Sequence, residues 1–157
     1  MLIALALALQ AVRLVLPLPQ PVSTFVIGSL VHMMLVLTWK LSGLGTALLL
    51  ALLLPLTAYL QGQVLLPLLI PVIWAGNVLF VVLLQLFSAN RRLALFLPPL
   101  AKAVLMGVAA WCVVNIVALP NPALRKTIMF GMSVPQLVTA FIGVWLARQV
   151  FLRIRKF

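Results

Sequence analysis

Asn77, Asn115 and Gln136 are carboxamides set within long apolar stretches, and each has a partner at helical spacing. Trp74 lies three residues before Asn77 and Trp111 four before Asn115, so each pair shares one side of a helix. The second face continues through Gly107 and Ala103, while Gln136 shares a stripe with Thr139, Ala140, Gly143 and Ala147. Arg13, Arg125 and Lys126 fall at the ends of apolar segments, in the same layer as Tyr59, Gln61 and Gln63. Two indoles, three carboxamides and a basic rim at similar depth would form an outward-facing pocket that binds a polar solute by hydrogen bonds and charge. Pro67 and Pro71 are expected to kink the helix that carries Trp74, freeing carbonyls beside that pocket. Other readings of the same residues stay open. Trp and Tyr gather at membrane interfaces, and carboxamides between helices often serve only as interhelical glue. Gly107, Gly143 and Ala147 are expected to let helices pack closely.

His32, beside Met33 and Met34, has the type to ligate haem iron. A lone histidine hydrogen-bonded inside a helical bundle is the expected reading. The chain of 157 residues has 11 Lys+Arg, one His, one Cys and no Asp or Glu. General acid–base work, Mg²⁺ or Ca²⁺ binding and proton carriage through a membrane normally use carboxylates. Cys112 has no partner for a disulfide or a multi-cysteine metal cage. A Ser or Cys nucleophile would have only His32 as its base. There is no GxxxxGK[ST] phosphate loop, so the chain is not expected to hydrolyse ATP itself. An enzyme is therefore not expected, nor a cofactor or metal. The formal charge of +11 is spread too thinly to suggest a nucleic-acid partner.

These polar residues must be positioned by membrane helices. Hydrophobic residues make up 66% of the chain and charged ones 7%, against about half and a quarter in soluble domains. Long Leu/Ala/Val runs lack the alternation of a membrane β-barrel. About 20 apolar residues cross roughly 30 Å of hydrocarbon. The sequence predicts an all-α polytopic membrane protein, a single domain with six spans at about 1–16, 22–39, 44–60, 64–87, 98–117 and 128–152. The fifth is expected to start at Pro98-Pro99, because proline suits a first helical turn, with Arg91–Leu97 as an amphipathic link near the membrane surface. The sixth has an alternative start at Ser133, where Ser-Val-Pro reads as an N-cap and early proline. A cleaved signal peptide is the alternative for the first segment. It is disfavoured because no Lys or Arg precedes Arg13.

Orientation follows from Lys and Arg in short loops. The set that includes both termini holds Lys40, Arg91, Arg92, Arg148, Arg153, Arg155 and Lys156; the opposite set holds Arg13, Arg125 and Lys126. Lys102 is placed near the inner end of the fifth helix. Seven against three puts both termini in the cytoplasm.

Six helices in so short a chain, both ends inside, and a polar outer half in helices four to six resemble the substrate-binding S components of energy-coupling factor (ECF) vitamin transporters. The residues that carry the resemblance are Ala4-x-x-x-Ala8, Gly76-Asn77, Lys102, and Gln136-Leu137-Val138-Thr139-Ala140 with Gly143. The resemblance covers the whole chain in topology. It implies a multi-pass protein of the bacterial cytoplasmic membrane that binds a vitamin near the outer face. It also implies partners: a transmembrane T component, joined to two cytoplasmic ATPases, onto which small residues of helix one dock. Ala4 and Ala8 would form that docking face, with Ala11 extending it. Trp74, Asn77, Trp111, Asn115, Gln136, Arg125, Lys126 and Arg13 would bind the substrate.

The absence of acids narrows the cargo. One His cannot supply a nickel or cobalt site, and the fixed cation of thiamine normally meets a carboxylate. A neutral or anionic vitamin is expected, with folate, pantothenate, nicotinate, biotin, a hydroxymethylpyrimidine-like compound or a corrinoid all open. The rival readings are a membrane scaffold or assembly subunit that transports nothing, and a small anion channel.

Overall fold

The computed structural model describes residues 1–16, 19–64, 66–117 and 120–154. Among them there is no strand, and seven helices account for nearly all. They are α1 (Leu2–Val15), α2 (Gln20–Ser42), α3 (Leu44–Leu60), α4 (Leu69–Leu86), α5 (Arg91–Ile116), α6 (Pro122–Met132) and α7 (Val134–Ile154). Four helical stretches are long and apolar enough to cross a membrane: Val22–Ser42, Leu69–Leu86, Arg91–Ile116 and Pro122–Ile154, the last with a break at Ser133. This is the build of a multi-pass membrane protein. α1 has 14 residues and α3 has 17, about 21 and 26 Å at 1.5 Å per residue, so these two fall short of the expected six full spans.

Polar contacts between helix ends order the bundle. At one end, Arg13 of α1 bonds Ser23 and Thr24 at the start of α2 and Gln63 just after α3. At the other, Trp39 of α2 donates to Gln85 of α4 at 2.7 Å, and the Lys40 ammonium lies 4.9 Å from the Phe151 ring of α7. The beginning of α1 and the end of α7 thus belong to this second end, where Leu2, Ile3, Val150 and Phe151 pack against one core. That core joins α1, α2, α3, α4 and α7 around Met34, Leu35, Leu50, Phe80, Val81 and Leu84. A separate apolar cluster near the first end gathers Val64, Leu69, Ala110, Val114 and Ile128, and α6 packs there against α5 and α7.

The closest crossing is between α2 and α7. A Cβ built on Gly143 would lie 2.8 Å from Met33 N and 2.9 Å from Ser29 O, besides meeting His32 Cβ. Only a hydrogen at that position lets the two backbones meet. α1 is tied to α3 by Gln10, which donates to Leu54 O at 3.1 Å and accepts from Thr57 Oγ1 at 3.0 Å. Gln10→Met is expected to cost about 1 kcal/mol, the scale of interhelical hydrogen bonds in membranes. Thermal unfolding of the purified variant checks this, and an unchanged midpoint would show that α1 is held by packing alone.

Three local expectations are corrected. α5 starts at Arg91 and not at Pro98: Asn90 caps it, its Oδ1 accepting from Arg92 N and Leu93 N at 3.2 Å. Arg91–Leu97 therefore forms the first two turns of α5 rather than a surface link, and the helix carries Pro98 and Pro99 buried in its interior. α4 begins at Leu69, so Pro67 precedes it and Pro71 lies in its first turn, where a missing N–H costs nothing. No kink in α4 is needed to explain either proline. The segment carrying Arg125 and Lys126 is helix α6, not loop: Asn121 Oδ1 accepts from Ala123 N at 2.9 Å, and Pro122 takes the first position. The Ser133 boundary expected as an alternative start is present, with Ser133 at φ −114° and ψ −85° between α6 and α7.

Candidate functional site

Between the two cores lies a cavity of about 470 Å³. Its mouth is at the Arg13 end of the bundle. There Arg13 Nε donates to Ser23 Oγ at 2.7 Å, Nη2 to Thr24 Oγ1 at 3.2 Å and Nη1 to Gln63 Oε1 at 3.3 Å. One guanidinium thus fastens α1, α2 and the α3–α4 connection into a rim. The walls are mostly apolar, with Ile27 and Val31 from α2, Leu54 and Pro55 from α3, Ile73 from α4 and Ile128 and Met132 from α6. Thr139 and Gln136 of α7 supply polar wall, and the Gln136 carboxamide makes no hydrogen bond among the described residues.

The floor is a buried polar cluster. Lys102, only 1% exposed, brings Nζ to 2.6 Å from His32 Nε2 and 2.6 Å from Asn77 Oδ1. His32 Nδ1 lies 2.7 Å from Gly28 O, which can only accept. That assigns the proton to Nδ1, so Nε2 accepts from Lys102. Asn77 Nδ2 reaches toward Ala51 O at 3.5 Å. That carbonyl has no helical donor, because residue 55, four positions on, is proline. The edge of His32 stands on Phe80 at a centroid distance of 5.5 Å, and the Lys102 ammonium is 5.8 Å from the same ring. Four helices meet here: α2 gives His32, α3 the freed carbonyl, α4 Asn77 and Phe80, and α5 Lys102.

The sequence-derived candidates divide by position. Asn77 lies at the floor, Gln136 on the wall and Arg13 at the mouth. Trp111 and Asn115 do share one face of α5, but that face turns outward: Trp111 is 58% exposed, while Ala110 and Val114 one residue earlier are buried. Asn115 Oδ1 accepts from Arg125 Nη2 at 2.8 Å, outside the cavity lining. Trp74 stands on the outer surface of α4, and Lys126 is exposed on α6. Ala4 and Ala8 are exposed on α1, with Ala11 partly covered. Polar lining residues not anticipated include Lys102, His32, Gln10, Thr24 and Thr127. Lys102 is not near a helix end: it is eleven residues into α5, about 16 Å from its start. The available signal was that ionisable groups inside a membrane helix are expensive and tend to mark a site.

These features are those of a helical bundle with helices apolar and long enough to cross a membrane and a polar-floored chamber within it. Compared with family models, curated proteins and solved structures, the chain finds no match.

Proposed function

We propose that this chain is the membrane-embedded binding subunit of an uptake system for a neutral or anionic water-soluble vitamin. In this reading it works as the S components of ECF transporters do, energised by a separate T component and two cytoplasmic ATPases in a bacterial cytoplasmic membrane. The carrying observation is the chamber itself. Its 470 Å³ falls within the usual size of small-molecule pockets, and it has an apolar wall, a few inward polar groups and a cationic mouth and floor. The excess of Lys and Arg on the side of the termini supports an orientation with those termini inside and the mouth outside, which would suit capture from the exterior. The chain has no Asp or Glu to drive coupled transport, so the energy would come from partners.

Equilibrium binding of the purified protein to a vitamin panel tests the reading. Tight binding of one neutral or anionic vitamin is expected; preference for thiamine or a transition-metal ion would overturn it. Isolation from the native membrane should bring down a T component and two ATPases. Ala4 and Ala8 lie exposed on α1, where small residues permit close approach of a partner helix. The double variant Ala4→Leu/Ala8→Leu should therefore reduce uptake severalfold or more while leaving vitamin binding unchanged. Normal uptake by that variant would remove α1 as the docking face.

A further inference from the structure

We propose that the cavity floor is an anion site: the solute that fills the chamber carries a carboxylate, and Lys102 Nζ is its partner. This rests on the reading of the chamber as a solute-binding site and narrows its ligand from neutral or anionic to acidic.

An ammonium has three N–H groups and no acceptor. His32 Nε2 and Asn77 Oδ1 take two of them at 2.6 Å each. The third has no hydrogen-bond acceptor among the described residues, only the Phe80 ring at 5.8 Å lying near the ammonium, and Lys102 lines the cavity. Charge is the second consideration. A cation in the membrane interior is normally paired, and both of Lys102's partners are neutral. The chain has no Asp or Glu anywhere, so no side chain can supply the counter-charge. A group entering the cavity can. A carboxylate there gains a charge-assisted hydrogen bond in a low-dielectric site, where such bonds are stronger than in water.

The rest of the lining limits what that carboxylate is attached to. One buried cation at the floor matches one negative charge. Arg13 at the mouth is only half-buried and already donates to three neutral acceptors, so it does not demand a second. Thr24 at the rim and His32 at the floor are eight residues apart on α2, which sets the depth at about 12 Å. Ile27, Val31, Leu54 and Ile73 face the space between. The fitting solute is a monocarboxylate with an apolar or aromatic body and a polar outer end, and the unengaged Gln136 carboxamide is available to that body.

The test uses the whole chain in nanodiscs of phosphatidylcholine, which carries no net charge. Equilibrium binding is compared within acid and neutral pairs: benzoate and benzamide, nicotinate and nicotinamide, biotin and biotinamide, pantothenate and panthenol. The acid of at least one pair is expected to bind tenfold or more tightly than its neutral partner. In protein labelled with ¹⁵N-lysine, that acid should shift the Lys102 resonance. Lys102→Arg should retain a preference for acids, and Lys102→Met should lose it. Equal binding within every pair, or a preference that survives Lys102→Met, overturns the proposal; the wild-type comparison decides even if a variant does not fold. A shift of Lys102 by added phosphatidylglycerol and by none of the acids would assign the floor to lipid phosphate and also overturn it. Binding of neutral compounds alone, abolished by filling the chamber with Ile73→Trp, would remove the anion floor and leave the chamber reading standing. Binding of no compound in either series would remove both.

Discussion

Gly143→Ala is expected to lower the stability of the protein by about 3 kcal/mol, the upper end of what overpacking a core usually costs. The added methyl group would fall 2.8 Å from Met33 N and 2.9 Å from Ser29 O, and against His32 Cβ. Two of those neighbours are backbone atoms of α2, so no side-chain rotation relieves the clash. α2 and α7 would have to separate along the closest interface of the bundle. Gly76→Ala is the internal control. There a Cβ meets Met106 Cγ at 2.7 Å and Sδ at 2.8 Å, atoms of a flexible side chain rather than of a backbone. Its cost should stay within about 1 kcal/mol. Reversible unfolding in mixed micelles, followed by helical circular dichroism, compares the two. Equal losses would mean that α2 and α7 are free to adjust. Because His32 is itself one of the atoms displaced, Gly143→Ala should also weaken solute binding, whereas Gly76→Ala should affect it less.

His32→Leu has the second largest expected effect, a loss of about 2 kcal/mol that Lys102→Met in the same chain largely restores. Leucine keeps the Cβ that packs on Gly143 and fills similar space, but it leaves Lys102 with Asn77 as its single described hydrogen-bond partner. Hydrogen bonds to charged groups are worth about 1.5–3 kcal/mol, and a buried charge deprived of a partner is costlier than no charge at all. The double variant replaces the pair by apolar groups and leaves only Asn77 Oδ1 short of a donor. The four proteins form a cycle whose coupling term isolates the His32–Lys102 contact. A coupling of about 1 kcal/mol or more is expected. Additive effects would show that the two side chains do not share a hydrogen bond.

Much of the helical plan was legible in the sequence because it rests on apolar run length and turn chemistry. Gly43, at φ +87°, separates α2 from α3 in the gap expected between the spans 22–39 and 44–60. The Ser133 break was legible for the same local reason. Pro98-Pro99 misled because a proline pair reads as a start, whereas the nearby cap on Asn90 already begins the helix. That single shift carried Lys102 from a helix end to the middle of α5. The site was legible in part. Asn77, Gln136 and Arg13, singled out from the sequence, line one chamber. The pairing of Trp111 with Asn115 was right as periodicity, yet period alone leaves the rotation of a helix about its axis undetermined. About 100° per residue separates their face from the buried Ala110 and Val114. The His32–Lys102 contact spans 70 residues of chain, and no local pattern encodes it.

The division of the apolar interior into two clusters has a kinetic consequence. α6 is held by the small group of Val64, Leu69, Ala110, Val114 and Ile128, while the larger core joining α1, α2, α3, α4 and α7 lies beyond the chamber. A segment with few buried contacts opens at a lower free energy than the global unfolding step. Amides of α6 should therefore exchange with solvent earlier than those in the middle of α2 or α7. Ile128 and Met132 belong both to this segment and to the chamber wall. The same fluctuation that exposes the α6 amides would then set how long a captured molecule stays inside, while the floor beneath it keeps its shape.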